Sequence, residues 1–146
     1  MTSSLPTIED LALVARKLDQ SPWLIACLCA AWCDTCQTYR KNFEAVQQAH
    51  PDKIFTWVDI EDQSALVDEL DIENFPTILI EYQGKVLFLG TMLPDANLVH
   101  KLINSYAESI EQKPIDTIQR SIQASNQGLP NEWSLRLQLK KHFCAK

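Results

Sequence analysis

The chain has 146 residues, 46% of them hydrophobic, with five cysteines and a formal net charge of −6. This length predicts one domain with a core that needs no disulfide staples. The negative charge argues against nucleic acid as the main partner, because a phosphate backbone would be repelled. No run has the length and apolarity of a membrane span or a signal peptide, so we expect a cytoplasmic protein without membrane contact. In a reducing compartment the cysteines are expected to serve catalysis or metal binding.

The first half of the chain predicts a helix, a strand, a helix and a second strand. Thr7 begins a capping-box pattern and predicts a helix over roughly 8–19. Residues 23–29 form an apolar run without charge, which is typical of a central strand covered on both faces. Helical periodicity follows from about residue 34, and residues 54–60 are rich in strand formers. A strand, a helix and a strand in this order predict a parallel strand pair.

The second half predicts a hairpin between two helices. A short helical turn is expected over 62–70, followed by strands at 77–82 and 85–89. Gly84 lies between these strands and can adopt the positive φ that a tight hairpin needs. Apolar residues at helical spacing then predict a helix that starts near residue 96.

The last residues, 111–146, allow two interpretations. Trp133, Leu135, Leu137 and Leu139 alternate as in an edge strand, whereas Leu135, Leu139 and Phe143 share one face of a helix. We favour a helix, because the segment is rich in helix formers and has no β-branched residue. Its many large apolar side chains predict that it packs on the rest of the chain.

Two cysteines, Cys33 and Cys36, lie where the first strand leads into the second helix. At such a junction the first sulfur lies at a helix N-terminus, where unpaired backbone N–H groups and the helix dipole favour a thiolate. The second sulfur follows one turn later. This spacing is typical of thiol–disulfide exchange, in which one thiolate attacks and a nearby thiol resolves the mixed disulfide.

Two motifs together resemble a known family. Trp32-Cys33-Asp34-Thr35-Cys36 resembles the active site of the thioredoxin family, and Asn74-Phe75-Pro76-Thr77 resembles its cis-proline segment. The resemblance covers about residues 8–110. It implies an α/β thioredoxin-like fold, with a central mixed sheet flanked by helices. We therefore expect a thioredoxin-like domain at 1–110 and a mainly helical C-terminal extension at 111–146, packed on that domain.

The resemblance also implies an activity. It predicts a thiol–disulfide oxidoreductase that acts on protein disulfides, with Cys33 as nucleophile and Cys36 as resolving cysteine. Trp32, Phe75 and a cis Pro76 would form the substrate-binding surface. The expected partners are disulfide-containing proteins and a thioredoxin reductase. We expect a monomer without a cofactor.

Several positions depart from the family pattern. Asp34 and Thr35 replace the usual Gly-Pro pair, and a carboxylate at Asp34 opposes a thiolate at Cys33. Cys27 stands where the family has a buried aspartate, and Trp57 aligns with its usual lysine. We expect Asp34, Cys27 and Trp57 to tune the acidity of the active-site thiols. The resemblance therefore implies that this chain lacks the ionisable pair with which the family moves protons while the mixed disulfide is resolved.

Two alternatives remain beside this interpretation. Together with Cys33 and Cys36, Cys27 and Cys29 have a spacing that could form a four-thiolate zinc or iron–sulfur site. We expect Cys27 and Cys29 to point to opposite faces of their strand, and so we predict no metal and interpret both as small buried hydrophobes. The second alternative is a binding module, in which the extension recruits a partner and the dithiol is vestigial or regulatory.

Overall fold

The structure, a computed structural model, describes residues 11–30, 32–68, 70, 72, 76–91, 95–112 and 133–143. In chain order the elements are α1 (Leu11–Lys17) with a 3₁₀ turn (Leu18–Gln20), β1 (Trp23–Cys29), α2 (Asp34–Ala49), β2 (Ile54–Asp59), α3 (Ser64–Val67), β3 (Thr77–Tyr82), β4 (Lys85–Thr91), α4 (Ala96–Gln112) and α5 (Leu135–Phe143). This order confirms the predicted fold class and the helical extension. Within the described ranges, no helix is long and apolar enough to span a membrane.

The four strands form one mixed sheet in the order β2-β1-β3-β4. Strand β1 pairs in parallel with β2 and antiparallel with β3, and β3 pairs antiparallel with β4. All seven residues of β1 are buried, which confirms the predicted central strand. The predicted parallel pair is therefore β1 and β2.

Helices cover both faces of this sheet. Residues Trp23, Ile25, Cys27 and Cys29 of β1 belong to the core cluster that contains the apolar residues of α2 and α4. The alternate residues of β1 belong to a second cluster, which contains the apolar residues of α1, α3 and α5. Because side chains two residues apart in a strand point to the same face, Cys27 and Cys29 lie side by side. The expectation that they point to opposite faces was wrong.

The boundaries of α1 and β4 differ from the predicted ones. Helix α1 ends at Lys17 and gives way to a 3₁₀ turn, while the proposed cap at Thr7 lies outside the described residues. Strand β4 extends to Thr91, because its added residues continue the ladder with the start of β3. In the turn between them, Gln83 and Gly84 both have positive φ, of 54° and 78°. Two positive φ values identify a type I′ hairpin turn, as expected for this glycine.

Helix α5 confirms the helical interpretation of the C-terminal residues. It packs against α1 and α3, and Leu135 and Leu139 are fully buried. Leu137 is 47% exposed, which fits the spacing of a helix and contradicts the edge-strand alternative. The segment between α4 and α5 lies outside the described residues, so the boundary after residue 110 stays a prediction.

A buried carboxylate anchors the start of α5. Glu81 in β3 is 1% exposed and accepts hydrogen bonds from the backbone N–H groups of Leu135 and Arg136. These are donors that a helix N-terminus leaves unpaired, so Glu81 acts as a helix cap supplied by the sheet. Burial raises the pKa of Glu81 to about 7, although both hydrogen bonds and the Arg136 guanidinium oppose this shift.

Two side chains of α5 strengthen the same contact from the surface. The Arg136 guanidinium donates to the carbonyl of Ser21 at 3.2 Å and to Asp19 at 3.3 Å. Lys140 also donates to Asp19, at 2.8 Å. Asp19 and Ser21 lie just before β1, at the end of that strand remote from Cys29. These polar contacts of α5 with Asp19 and Ser21 thus lie away from the end of β1 that leads into the Cys33 motif.

The stability of the chain should depend on pH through the titration of Glu81. The carboxyl group has a higher pKa in the folded chain than its ordinary value of 4.5, so the folded state binds more protons between about pH 4.5 and 7. The free energy of unfolding should therefore fall by on the order of 3 kcal/mol as the pH rises through this window, and level off above it. Glu81→Gln should lack this component, as measured by urea unfolding of both proteins between pH 4.5 and 8.

The control is Glu108→Gln, which removes an exposed carboxylate of α4 and should keep the wild-type profile. Parallel profiles for Glu81→Gln and the wild type would mean that the helix donors keep Glu81 ionised throughout this range.

Candidate functional site

The predicted cysteine motif lies at the end of β1, where the chain turns into α2. Cys33 is the N-cap residue of α2, and its carbonyl accepts the N–H of Gln37 at 3.1 Å. Its own N–H donates to the carbonyl of Ala30 at 3.0 Å, which closes the turn. Cys33 therefore lies at the N-terminus of α2, next to the N–H groups that the first helical turn leaves unpaired, as the sequence predicted.

Four sulfurs meet at this junction. Cys27, Cys29 and Cys36 are buried, and the partly buried Cys33 packs against the same cluster. A disulfide joins Cys29 to Cys36, whose Cα atoms lie 5.9 Å apart. The sulfur of Cys27 lies 3.4 Å from that of Cys29, and both Cys27 and Cys33 are free. The structure thus links Cys36 to Cys29, whereas the sequence suggested Cys33 as its partner.

This arrangement changes the argument about a metal. Cys27 and Cys29 share a face, so their orientation does not keep them from binding one ion together. In the part of the chain that the structure describes, no group of three or more histidine, cysteine or acidic residues is arranged to hold a metal. Two of the four sulfurs are bonded to each other, so they are not thiolate ligands here.

The surroundings of Cys27 keep its thiol neutral. Burial raises the pKa of the Cys27 thiol, and the Arg40 guanidinium opposes this shift. Burial likewise raises the pKa of Tyr39, with the negative form of Cys27 as a further cause. Where the family has a buried aspartate, this chain therefore has an uncharged thiol.

Arg40 supplies a positive charge that the sequence interpretation missed. Cys27 and Trp57 are direct neighbours across β1 and β2, and the Arg40 guanidinium lies 5.0 Å from the Trp57 ring centroid. Arg40 also forms an ion pair with Glu44 at 3.3 Å. The signal in the sequence is spacing, since residue 40 is one helical turn after Cys36 and shares its side of α2. A cation therefore lies over the tryptophan that replaces the family's lysine.

Trp32 forms an exposed apolar surface beside Cys33. Its side chain is 63% exposed, and its indole N–H donates to the Glu61 carboxylate at 2.8 Å. An ordinary core tryptophan is therefore excluded. Glu61 comes from the loop after β2, and nothing in the sequence pattern points to it. The hydrogen bond holds the ring in one orientation at the entrance to the site.

Pro76 lies on the other strand next to the motif. It is buried and precedes β3, whose first residue, Thr77, pairs with Leu28 of β1. Pro76 is therefore at the same end of the sheet as Cys29. Phe75 lies outside the described residues, so its role and the cis form of Pro76 stay predictions. Asp34 is exposed in the first turn of α2.

A cavity of about 570 Å³ opens beside the buried end of the disulfide. Its lining includes Cys36, Ala30, Arg40, Trp57 and Asp59. The cavity has both apolar and charged walls, between the start of α2 and the end of β2. Cys36 borders it while being only 1% exposed.

Comparisons with known proteins agree with this geometry. The family model described as Thioredoxin matches residues 12–104. The chain is similar to the thioredoxin-like protein CXXS1 of Oryza sativa subsp. japonica, with 32% identity over 81 residues, which is 55% of this chain and 59% of that protein. It is similar to thioredoxin H3 of Arabidopsis thaliana, with 25% identity over 81 residues, which is 55% of this chain and 69% of that protein.

Solved structures show the same fold at lower identity. Oxidised mitochondrial thioredoxin 3 from Saccharomyces cerevisiae has a TM-score of 0.55 and 20% identity, covering 65% of this chain and 89% of that one. Thioredoxin from Plasmodium falciparum has a TM-score of 0.56 and 20% identity, covering 63% and 89%. The sheet with its flanking helices is therefore the fold that these proteins share.

Solvent exposure should separate the four thiols in the reduced protein. Iodoacetamide should label Cys33 at least about a hundredfold faster than Cys27, Cys29 and Cys36, because a buried thiol must wait for local opening of the structure. Mass spectrometry of peptides after short labelling times measures the four rates. In urea the rates should converge. Comparable labelling of Cys27 in the native protein would contradict the buried cluster.

Proposed function

Because the chain belongs to the thioredoxin family, we propose that it is a thiol–disulfide oxidoreductase that acts on protein disulfides, with Cys33 as nucleophile and Cys36 as resolving cysteine. One observation carries the proposal. Cys33 is partly buried, packs against the core cluster that contains Cys36, and is the N-cap residue of the helix whose first turn carries Cys36. Cys36 forms a disulfide with Cys29, which supports a redox role for Cys36.

The proposed reaction runs through a mixed disulfide. The Cys33 thiolate attacks one sulfur of a protein disulfide, and the second sulfur leaves as a thiolate and takes up a proton. Cys36, with its thiol free in the reduced protein, then attacks Cys33 and releases the substrate as a dithiol. The substrate gains two electrons, and the protein keeps one disulfide. A thioredoxin reductase is the proposed source of electrons for the next cycle.

The surface around Cys33 supports a protein substrate. The exposed Trp32 ring offers an apolar contact, and its hydrogen bond to Glu61 removes much of its freedom before binding. Pro76 lies at the same end of the sheet as Cys29. We propose that the backbone beside Pro76 pairs with an extended segment of the substrate, with Phe75 as part of that groove.

The charges near the site differ from the family pattern, which affects how protons move. Cys27 stays a neutral thiol, so it supplies neither a carboxylate base nor a charge. The Arg40 guanidinium over Trp57 favours negative charge near the cluster. We propose that Arg40, together with the N–H groups at the start of α2, supports the thiolates in this chain, while exposed Asp34 opposes them.

The alternative of a binding module receives no support from the described part of the extension. Helix α5 is attached to the body by the Glu81 cap and by buried leucines, so this part of the extension is not a free arm. We also propose that the protein is a monomer and that it is located in the cytoplasm.

Replacing each sulfur separately tests the proposed roles. Cys36→Ser should leave Cys33 able to attack a substrate disulfide but unable to release it, so mixed disulfides should accumulate. Cys33→Ser should trap nothing above background. Non-reducing electrophoresis of each variant, mixed with insulin and quenched in acid, measures the adduct. Equal trapping by both variants would show that the roles assigned to Cys33 and Cys36 are wrong.

Trp32→Ala should weaken substrate recognition without affecting stability. Loss of one exposed aromatic contact is expected to lower kcat/KM for insulin about tenfold, or roughly 1–2 kcal/mol. The melting temperature should change little, because the ring is 63% exposed. The matched control is Leu137→Ala, which removes an exposed apolar side chain of α5 and should leave kcat/KM unchanged. An unchanged kcat/KM for Trp32→Ala would remove Trp32 from the substrate surface.

A further inference from the structure

The sulfur cluster contains one more redox partner than the proposed reaction uses. That reaction needs a bond between Cys33 and Cys36, but the structure bonds Cys36 to Cys29 and leaves Cys33 free. Cys29 comes from the end of β1, seven residues before Cys36. The Cα separation of 5.9 Å lies in the range usual for disulfides, so this bond requires no movement of the strand away from the helix.

We propose that Cys29 is a third redox cysteine, which takes Cys36 from Cys33 by internal disulfide exchange and leaves Cys33 as a lone accessible thiol. This inference rests on the proposed function, because that reaction supplies the starting Cys33–Cys36 disulfide. The exchange turns the oxidised protein from a closed dithiol pair into a form with one reactive sulfur.

The exchange is balanced without any added oxidant or reductant. The Cys29 thiol loses its proton, and its sulfur attacks the sulfur of Cys36 in the Cys33–Cys36 disulfide. The Cys29–Cys36 bond forms as the Cys33–Cys36 bond breaks, and Cys33 leaves as a thiolate that takes up the proton. One disulfide and one thiol are present before and after the step.

Burial shields the product of the exchange. Cys29 is 0% exposed and Cys36 is 1% exposed, so both sulfurs of the new disulfide are shielded from solvent and from bulky thiols. Cys33 is the partly exposed member of the cluster, so electrons from outside reach the buried disulfide through Cys33 by the reverse step. The buried disulfide thus protects the oxidised state from direct reduction.

Cys27 does not continue the exchange. Its sulfur lies 3.4 Å from that of Cys29, yet Cys27 is free while Cys29 is bonded to Cys36. The oxidised protein therefore stops at the Cys29–Cys36 disulfide. In this form a protein disulfide attacked by Cys33 stays bound as a mixed disulfide, because Cys36 is occupied and cannot release it.

A time course of oxidation tests the exchange, because chymotrypsin cleaves after Trp32. Reduced full-length protein is mixed with insulin, quenched in acid at intervals, alkylated with N-ethylmaleimide and digested. A Cys33–Cys36 disulfide lies within one peptide, whereas a Cys29–Cys36 disulfide links two peptides, and Cys33 then carries either the alkyl group or an insulin peptide held in a mixed disulfide. We expect the single peptide first and the linked pair at the end.

Three variants separate the steps. Cys29→Ala should never form the linked pair and should keep the Cys33–Cys36 disulfide, whereas the matched control Cys27→Ala, on the same face of β1, should still form the link. Cys33→Ser should form the link at least about tenfold more slowly, because insulin cannot reach the buried sulfurs directly. Equally fast linking in Cys33→Ser would overturn the exchange. Should Cys29→Ala fail to fold, the wild-type time course and Cys33→Ser still decide the matter.

Insulin reduction, measured in the same samples, separates this inference from the proposed function. If the wild type reduces insulin but ends with the Cys33–Cys36 disulfide, the exchange is wrong and the oxidoreductase proposal stands. If neither the wild type nor Cys29→Ala reduces insulin, the oxidoreductase proposal fails, and the exchange fails with it because its starting disulfide is not made.

Discussion

The burial of β1 on both faces is the constraint on which the rest of the structure depends. The strand is bonded to β2 on one edge and to β3 on the other, so its direction and register are fixed at every residue. Its alternate side chains then decide which helices can cover each face. Where β1 ends, the chain must turn into α2 within a few residues. The four clustered cysteines lie in the last residues of β1, in this turn or in the first turn of α2.

The elements themselves could be predicted, because each depends on a local pattern. Apolar runs, helical periodicity and a turn glycine are properties of neighbouring residues, and they predicted the order of helices and strands along the chain and the C-terminal helix. The positions that sequence reasoning missed depend on contacts between distant residues. Glu61 accepts a hydrogen bond from Trp32, 29 residues away in the sequence. No short-range pattern carries such pairs.

The sulfur cluster shows a different kind of failure. Strand geometry was sufficient to place Cys27 and Cys29 on one face, so that error came from applying the alternation of side chains wrongly. The choice of Cys29 over Cys33 as partner for Cys36 could not be predicted in the same way. Both thiols lie close to Cys36 along the chain, and only the packing of β1 against the first turn of α2 distinguishes them.

The interior of the site is formed by packing instead of charge. Cys27 and Trp57, the positions where the resemblance leads us to expect an ionisable pair, are a thiol and a tryptophan that are neighbours across two strands. The positive charge of Arg40 is placed over the tryptophan ring instead of inside the core. Such a site has a low-polarity interior with charge at its border, which favours reactions between sulfurs that exclude water.

The Glu81 cap also has a consequence for how the chain folds during synthesis. The carboxylate belongs to the inner hairpin of the sheet, while the N–H groups that satisfy it come 54 residues later. The ribosome releases β1 to β4 long before Leu135, so the sheet can assemble while Glu81 is still open to water. The last helix then closes over a charge that is already in place. Because contacts so distant in sequence form late, the docking of α5 should follow the assembly of the sheet in a newly made chain.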